Sequence, residues 1–194
     1  MKLGTDRIRE IVLSLLIFSR VDQADMKWVD IHEGLDSTLL ILDHRLKAKP
    51  NLPAIQLIKE YGDLPKVLCY PGQLNQVFMN ILSNAIDAIE EDNKKRSLEE
   101  IKNNPSTIKI HTTVNDLNQV MIQIVDNGPG MSEEVQHRLF DLFFTTKAVG
   151  HGTGLGMAIS YQIVVEKHGG QLQCISAPGQ GTSFLIQIPL QQPY

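Results

Sequence analysis

The sequence predicts an α+β fold, a two-layer sandwich with helices on one face of a mixed, largely antiparallel sheet. Three observations carry that prediction. Residues 71–92 hold apolar side chains at helical spacing over an unusually long run. Two pairs of alternating runs, 107–114 with 119–126 and 170–177 with 182–190, read as hairpins. Helical segments separate the two hairpins along the chain, so one sheet must be assembled from distant strands with helices stacked on it.

Taken in order, residues 5–20 place Ile8, Ile11, Val12, Leu15, Leu16 and Phe18 on one helical face, with Asp6, Arg7, Arg9 and Glu10 opposite. This amphipathic helix wants a partner. Asp30 can cap a second helix running to about Leu46, with Leu35, Leu39 and Leu42 inward, and "LKAKPNLP" ends it. Strand-like runs follow at "IQLIKEY" and "KVLCY", and Pro71 starts the long helix at a position where a missing N–H costs nothing. "NKKRSLEEIKNNPS" reads as an exposed polar insertion with room for a helical turn. "NDLN" turns the first hairpin, "SEEVQHRLF" is a short helix, a helix runs to about His168, and "PGQG" turns the last hairpin. The chain divides into a helix end and connector, residues 1–26, and one domain, residues 27–194.

The 194 residues are 42% hydrophobic, enough for a true core. A net charge of −4 without a basic block excludes a nucleic-acid surface. Cys69 and Cys174 form no C-x-x-C and no zinc pattern, as expected of buried thiols in a reducing compartment. No run approaches the ~20 apolar residues of a membrane span, and the amino terminus is charged where a signal peptide would be apolar, so a cytoplasmic chain with no membrane partner for this segment is expected.

Four features carry chemistry. On the long helix, Asn80, Asn84 and Asp87 share a face. A solvated stripe is the ordinary reading, yet the asparagines interrupt an apolar helix they do not favour, and an amide oxygen suits Mg²⁺ beside phosphates. "DNGPGM" brings Asp126 out of a strand into a glycine turn; it is either a plain turn or an acceptor for a base amine, with Gly128 and Gly130 letting a ring lie against the backbone. In "LFDLFFTTK", Phe140, Phe143 and Phe144 precede Lys147, which suits a lid hinged over a phosphate. "GHGTGLG" is either a loose connector or a phosphate cradle feeding a helix N-terminus.

In this order, with "GQGTSF" completing the set, the motifs over about residues 27–190 resemble the ATP-binding catalytic domain of sensor histidine kinases, in the superfamily shared with gyrase, the Hsp90 chaperone and MutL. The resemblance implies the Bergerat-type ATP-binding fold, ATP and Mg²⁺ as cofactors, and transfer of the γ-phosphoryl group to a histidine. By position, Asn84 is similar to the magnesium-binding asparagine and Asn80 to the residue that shapes the phosphate site one turn earlier. Asp126 is similar to the reader of the adenine amino group, supported by Thr182, with Gly128 and Gly130 beside the purine. Gly152, Thr153, Gly154, Leu155 and Gly156 resemble the lid end that holds phosphates, and Phe143 belongs to the family's phenylalanine box.

Two departures follow. Many relatives carry lysine where this chain has Asp87, so Lys147 is expected to supply the positive phosphate partner. None of His32, His44, His111, His137, His151 or His168 matches the family's phosphoacceptor pattern, and His32 reads as an ordinary first-turn residue. The implied partners are therefore a phosphoacceptor-histidine helix from its own dimerisation domain and a response regulator, with the amino-terminal helix able to pair with its copy in a homodimer. The competing reading is a nucleotide-binding interaction or pseudokinase module that binds ATP without transfer; an ATPase clamp or a serine kinase of the same superfamily fits less well.

Overall fold

The computed structural model describes residues 25–49, 52–147 and 152–191. The amino-terminal helix expected over 5–20, and Gly150 and His151 of the glycine region, lie outside the described residues.

A five-stranded sheet runs in the order β2-β4-β5-β7-β6, built from β2 (Gln56–Tyr61), β4 (Thr107–Val114), β5 (Gln119–Asp126), β6 (Gln171–Ser176) and β7 (Thr182–Pro189). All neighbours are antiparallel except β2 and β4, so the sheet is mixed as expected. The run "KVLCY" does not join it. Its core, β3 (Val67–Cys69), pairs instead with β1 (Lys27–Val29) in a separate two-stranded sheet that the sequence does not announce.

Alternation explains the single covered face. In β5, Val120, Ile122, Ile124 and Asp126 point inward and their neighbours outward; in β7 the inward set is Thr182, Phe184, Ile186 and Ile188. Against that face lies α2 (Pro71–Asn93), whose Leu74, Val77, Phe78, Ile81, Leu82, Ile86 and Ile89 are essentially inaccessible. Beside it pack α1 (Ile31–Leu46), capped by the Asp30 side chain accepting from the His32 N–H, and α5 (Gly156–Tyr161), continued by a wider helical turn over Gln162–Lys167. His32 thus sits in the first turn of α1, and its Nε2 meets Thr112 Oγ1 at 2.9 Å.

The polar insertion is more structured than a turn. It forms α3 (Leu98–Asn103) with a reciprocal capping box between Ser97 and Glu100, and it buries Ile101. The short helix α4 (Glu133–Arg138) starts at the Ser132 cap.

Candidate nucleotide site

The site grows from one stripe of α2. Asn80, Asn84 and Ala88 succeed one another at four-residue intervals, a span of about 12 Å along the axis at the usual helical rise, and each meets a different neighbour.

At Asn80 the amide donates to Gly156 O at 3.0 Å and to Ser160 Oγ at 3.2 Å, and Ser160 Oγ donates back to Gly156 O at 2.8 Å. Asn80 therefore fastens the start of α5 to α2. The last residues of the glycine region are fixed by close approach as well. A Cβ on Gly154, whose φ is +66°, would lie 2.3 Å from the backbone carbon of Phe143, and one on Gly152 would lie 2.6 Å from Thr145 Oγ1. Phe143 is itself left-handed, at φ 65°, with its ring 72% exposed, so its contribution to this loop is backbone shape. Thr153 Oγ1 accepts from the Leu155 N–H at 3.4 Å, and no side chain caps α5 at Leu155.

At Asn84 the amide oxygen accepts from the Lys147 ammonium at 2.9 Å, and the same ammonium pairs with Asp87 Oδ2. Asp87 Oδ1 is held by Arg45 at 2.6 Å, Arg45 also reaches Glu90 at 2.5 Å, and Lys49 reaches Glu90 at 2.5 Å. Charges thus alternate from the loop across α2 to the end of α1. Arg45 was invisible as a site residue in the sequence, because its partner lies on another helix.

At Ala88 the stripe meets the "DNGPGM" turn. A Cβ on Gly128 would stand 3.5 Å from Ala88 Cβ and 2.9 Å from Asp126 Oδ1, so glycine keeps this wall thin. Asp126 is 5% exposed, since it continues the inward phase of β5. Burial pushes its carboxyl up to about 6, against the pull of the Gly128 and Thr182 backbone N–H groups. The Gly128 bond measures 2.9 Å. Thr182 acts here through its backbone, while its hydroxyl lies 3.1 Å from Ser176 Oγ. Gly130 and Gly181 are left-handed at φ 68° and 76°; a Cβ would strike Ala177 O and Asp126 O, each at 2.0 Å.

The structure therefore brings Asn80, Asn84, Lys147, Asp126, Gly128 and the 152–156 segment along one side of α2. Its donor set fits a nucleotide: a buried acceptor beside a thin backbone wall at one end, and an amide oxygen, an ammonium and closely packed glycines at the other. An amide oxygen with an adjacent carboxylate also suits a hard divalent cation. Among the described residues no group of three or more His, Cys, Asp or Glu surrounds a metal, so such a cation would depend on few protein atoms. No helix among the described residues is long and apolar enough to cross a membrane.

Comparison with known proteins agrees. The chain is 33% identical over 189 residues to sporulation kinase E of Bacillus subtilis, covering 96% of this chain and 23% of that protein. It is 32% identical over 187 residues to the signal transduction histidine-protein kinase AtoS of Escherichia coli, covering 95% and 27%. The chain thus spans about a quarter of each of these relatives. The catalytic domain of histidine kinase ThkA superposes with a TM-score of 0.68 at 25% identity, over 86% of this chain and 97% of that one. Full-length ShkA, solved with AMPPNP, gives 0.75 at 24% identity over 96% of this chain and 36% of that one. Residues 69–192 match the family described as "Histidine kinase-, DNA gyrase B-, and HSP90-like ATPase", and the chain belongs to that family.

Proposed function

We propose that this chain binds ATP with Mg²⁺ and, as the catalytic domain of a sensor histidine kinase, passes the γ-phosphoryl group to a histidine on a dimerisation helix, from which a response regulator takes it. The single observation that carries the proposal is the ordering along α2, with the buried Asp126 acceptor and Gly128 wall at Ala88 and the Asn84–Lys147 pair one turn away.

Each residue then has a task. Asp126 accepts from the adenine amino group and fixes which way the base points. Gly128 and Gly130 admit the ring. Backbone N–H groups of the 152–156 segment other than that of Leu155 serve as donors to the phosphates, and Asn80 holds the segment to α2. Lys147 neutralises charge on the terminal phosphate. Asn84 supplies an oxygen to Mg²⁺, which when bound draws charge from the phosphates and orients them. Neither asparagine takes a proton near neutral pH, so proton removal from the acceptor belongs to another group. The division expected between residues 1–26, as the end of a dimerisation helix with its connector, and 27–194, as the catalytic domain, is part of this proposal, as are a homodimer through that helix and a cytoplasmic setting.

The test is calorimetry of Mg-ATP on the chain and on Asp126→Asn, followed by labelled ATP with a separate phosphoacceptor hairpin. Binding weakened roughly 10- to 100-fold in the variant, with label reaching the added histidine, is expected. Binding without transfer would make the chain a nucleotide-responsive interaction module, and absence of binding would reject the nucleotide site.

A further inference from the structure

We infer that Asp87 is a second protein ligand, beside Asn84, for the divalent cation that accompanies the nucleotide. The inference rests on the ATP-binding reading above and concerns a charged residue of the site to which that reading gives no task.

The first argument is convergence. Asn84 and Asp87 stand three residues apart on α2 and so share a face. Asn84 Oδ1, at 2.9 Å, and Asp87 Oδ2 both bond one cation, the Lys147 ammonium. Two hard oxygens, one neutral and one anionic, aimed at a single point form the donor type that Mg²⁺ and Mn²⁺ select, and the ammonium stands in for the metal there. Side-chain exposures of 34% for Asp87 and 30% for Lys147 leave room for a cation that keeps several of its waters.

The second argument is orientation. Arg45 holds Asp87 Oδ1 at 2.6 Å and is itself held by Glu90 at 2.5 Å. The oxygen not taken by Arg45 is the one that shares the Lys147 ammonium with Asn84. A group that fixes a carboxylate from behind is the usual outer partner of a metal ligand.

The third argument is charge. The Asp87 oxygen that Arg45 does not cover repels a triphosphate one helical turn away unless a cation stands between them. A Lys147 ammonium that bridges Asp87 and the terminal phosphate divides its single charge between two anions. A divalent cation on Asn84 and Asp87 releases Lys147 to the phosphate and leaves no like charges facing each other.

The test titrates Mg²⁺ against a fixed concentration of a non-hydrolysable ATP analogue and follows binding by calorimetry, for the wild type, Asp87→Asn and Asp87→Glu, each first checked by thermal melting. Asp87→Asn is expected to raise the half-saturating Mg²⁺ concentration at least about 10-fold, with binding in EDTA unchanged or tighter, and Asp87→Glu to restore most of the Mg²⁺ response. With Mn²⁺ and the analogue, the fraction of metal immobilised in the paramagnetic resonance spectrum should fall in Asp87→Asn alone. An unchanged Mg²⁺ requirement in Asp87→Asn, with the analogue bound tighter at every Mg²⁺ concentration, would overturn the inference and leave Asp87 as a tether for Lys147. A wild type that binds no analogue under any condition would reject the nucleotide reading itself, an outcome distinct from the first.

Discussion

Asp126 carries opposite demands. In the proposed role the ionised carboxylate is the stronger acceptor for a base amine, yet burial raises its folded value to about 6, so on that reading ionisation at neutral pH is a cost borne for binding. Asp126→Asn should therefore weaken Mg-ATP binding by roughly 10- to 100-fold, the worth of a charged hydrogen bond, without lowering the melting temperature at pH 8. Calorimetry and thermal melts on one preparation check both halves. The same value predicts that wild-type affinity falls as pH drops through about 6, where the carboxylate gains a proton and becomes a weaker, neutral acceptor, and that Asp126→Asn is flat over that window. Lys147→Ala separates another role: its affinity for ATP should fall about 10-fold, the effect of one charged contact, and its affinity for ADP less. Equal losses for both nucleotides would place Lys147 away from the terminal phosphate.

At the scale of elements, Gly154, just before α5, is held against Phe143 by backbone contact. Gly154 is left-handed and its missing Cβ faces the Phe143 backbone at 2.3 Å, so Gly154→Ala must displace one strand of this turn or the other. Phe143 is exposed, and neither it nor Gly154 belongs to the sheet core. Gly154→Ala should therefore reduce nucleotide affinity at least about 10-fold while shifting the melting temperature by no more than the ~4 °C expected of 1 kcal/mol. Gly181→Ala, which drives a Cβ to 2.0 Å from Asp126 O between β5 and β7, should lose both binding and stability. Which elements were legible follows from the same physics. Periodicity marked α2, β4, β5 and β7 because each buries one face, and the inward phase of β5 carried the burial of Asp126 with it. β1 has three residues, two of them exposed, and offered no pattern; the choice of β3 to pair with β1 depends on chain geometry. The Asn80, Asn84 and Asp87 face was readable from spacing alone. Arg45 was not, because its bond to Asp87 spans 42 residues and joins two helices whose packing no local signal states.

Over the whole molecule, two buried titratable groups pull stability in opposite directions. His168, just past the wide turn after α5, joins three elements: its Nδ1–H donates to Ile163 O near the start of that turn at 2.7 Å, and its Nε2 accepts from the Tyr70 N–H at 3.1 Å where β3 gives way to α2. Both nitrogens are used by the neutral ring, and burial holds its folded value below the ordinary histidine range. Its contribution is thus complete above the unfolded value of about 6.5 and is lost as pH falls through the folded one. Asp126 has the reverse sign. With a folded value of about 6 and an ordinary value of 3.8, its contribution is complete below 3.8 and is lost as pH rises through about 6. The linked difference is up to about 3 kcal/mol, at 1.36 kcal/mol per pH unit of displacement. Between pH 7.5 and 4.5 the wild-type melting temperature should therefore fall less than His168 alone would dictate. Asp126→Asn removes the counterweight and should fall more steeply over the same range, from an equal or higher value at pH 8. His168→Gln, which keeps a donor and an acceptor but cannot charge, should melt lower at pH 8 and follow a flatter acid limb. Parallel curves for all three proteins would mean that neither residue titrates with folding, and would place the acid sensitivity of the domain in its surface ion pairs.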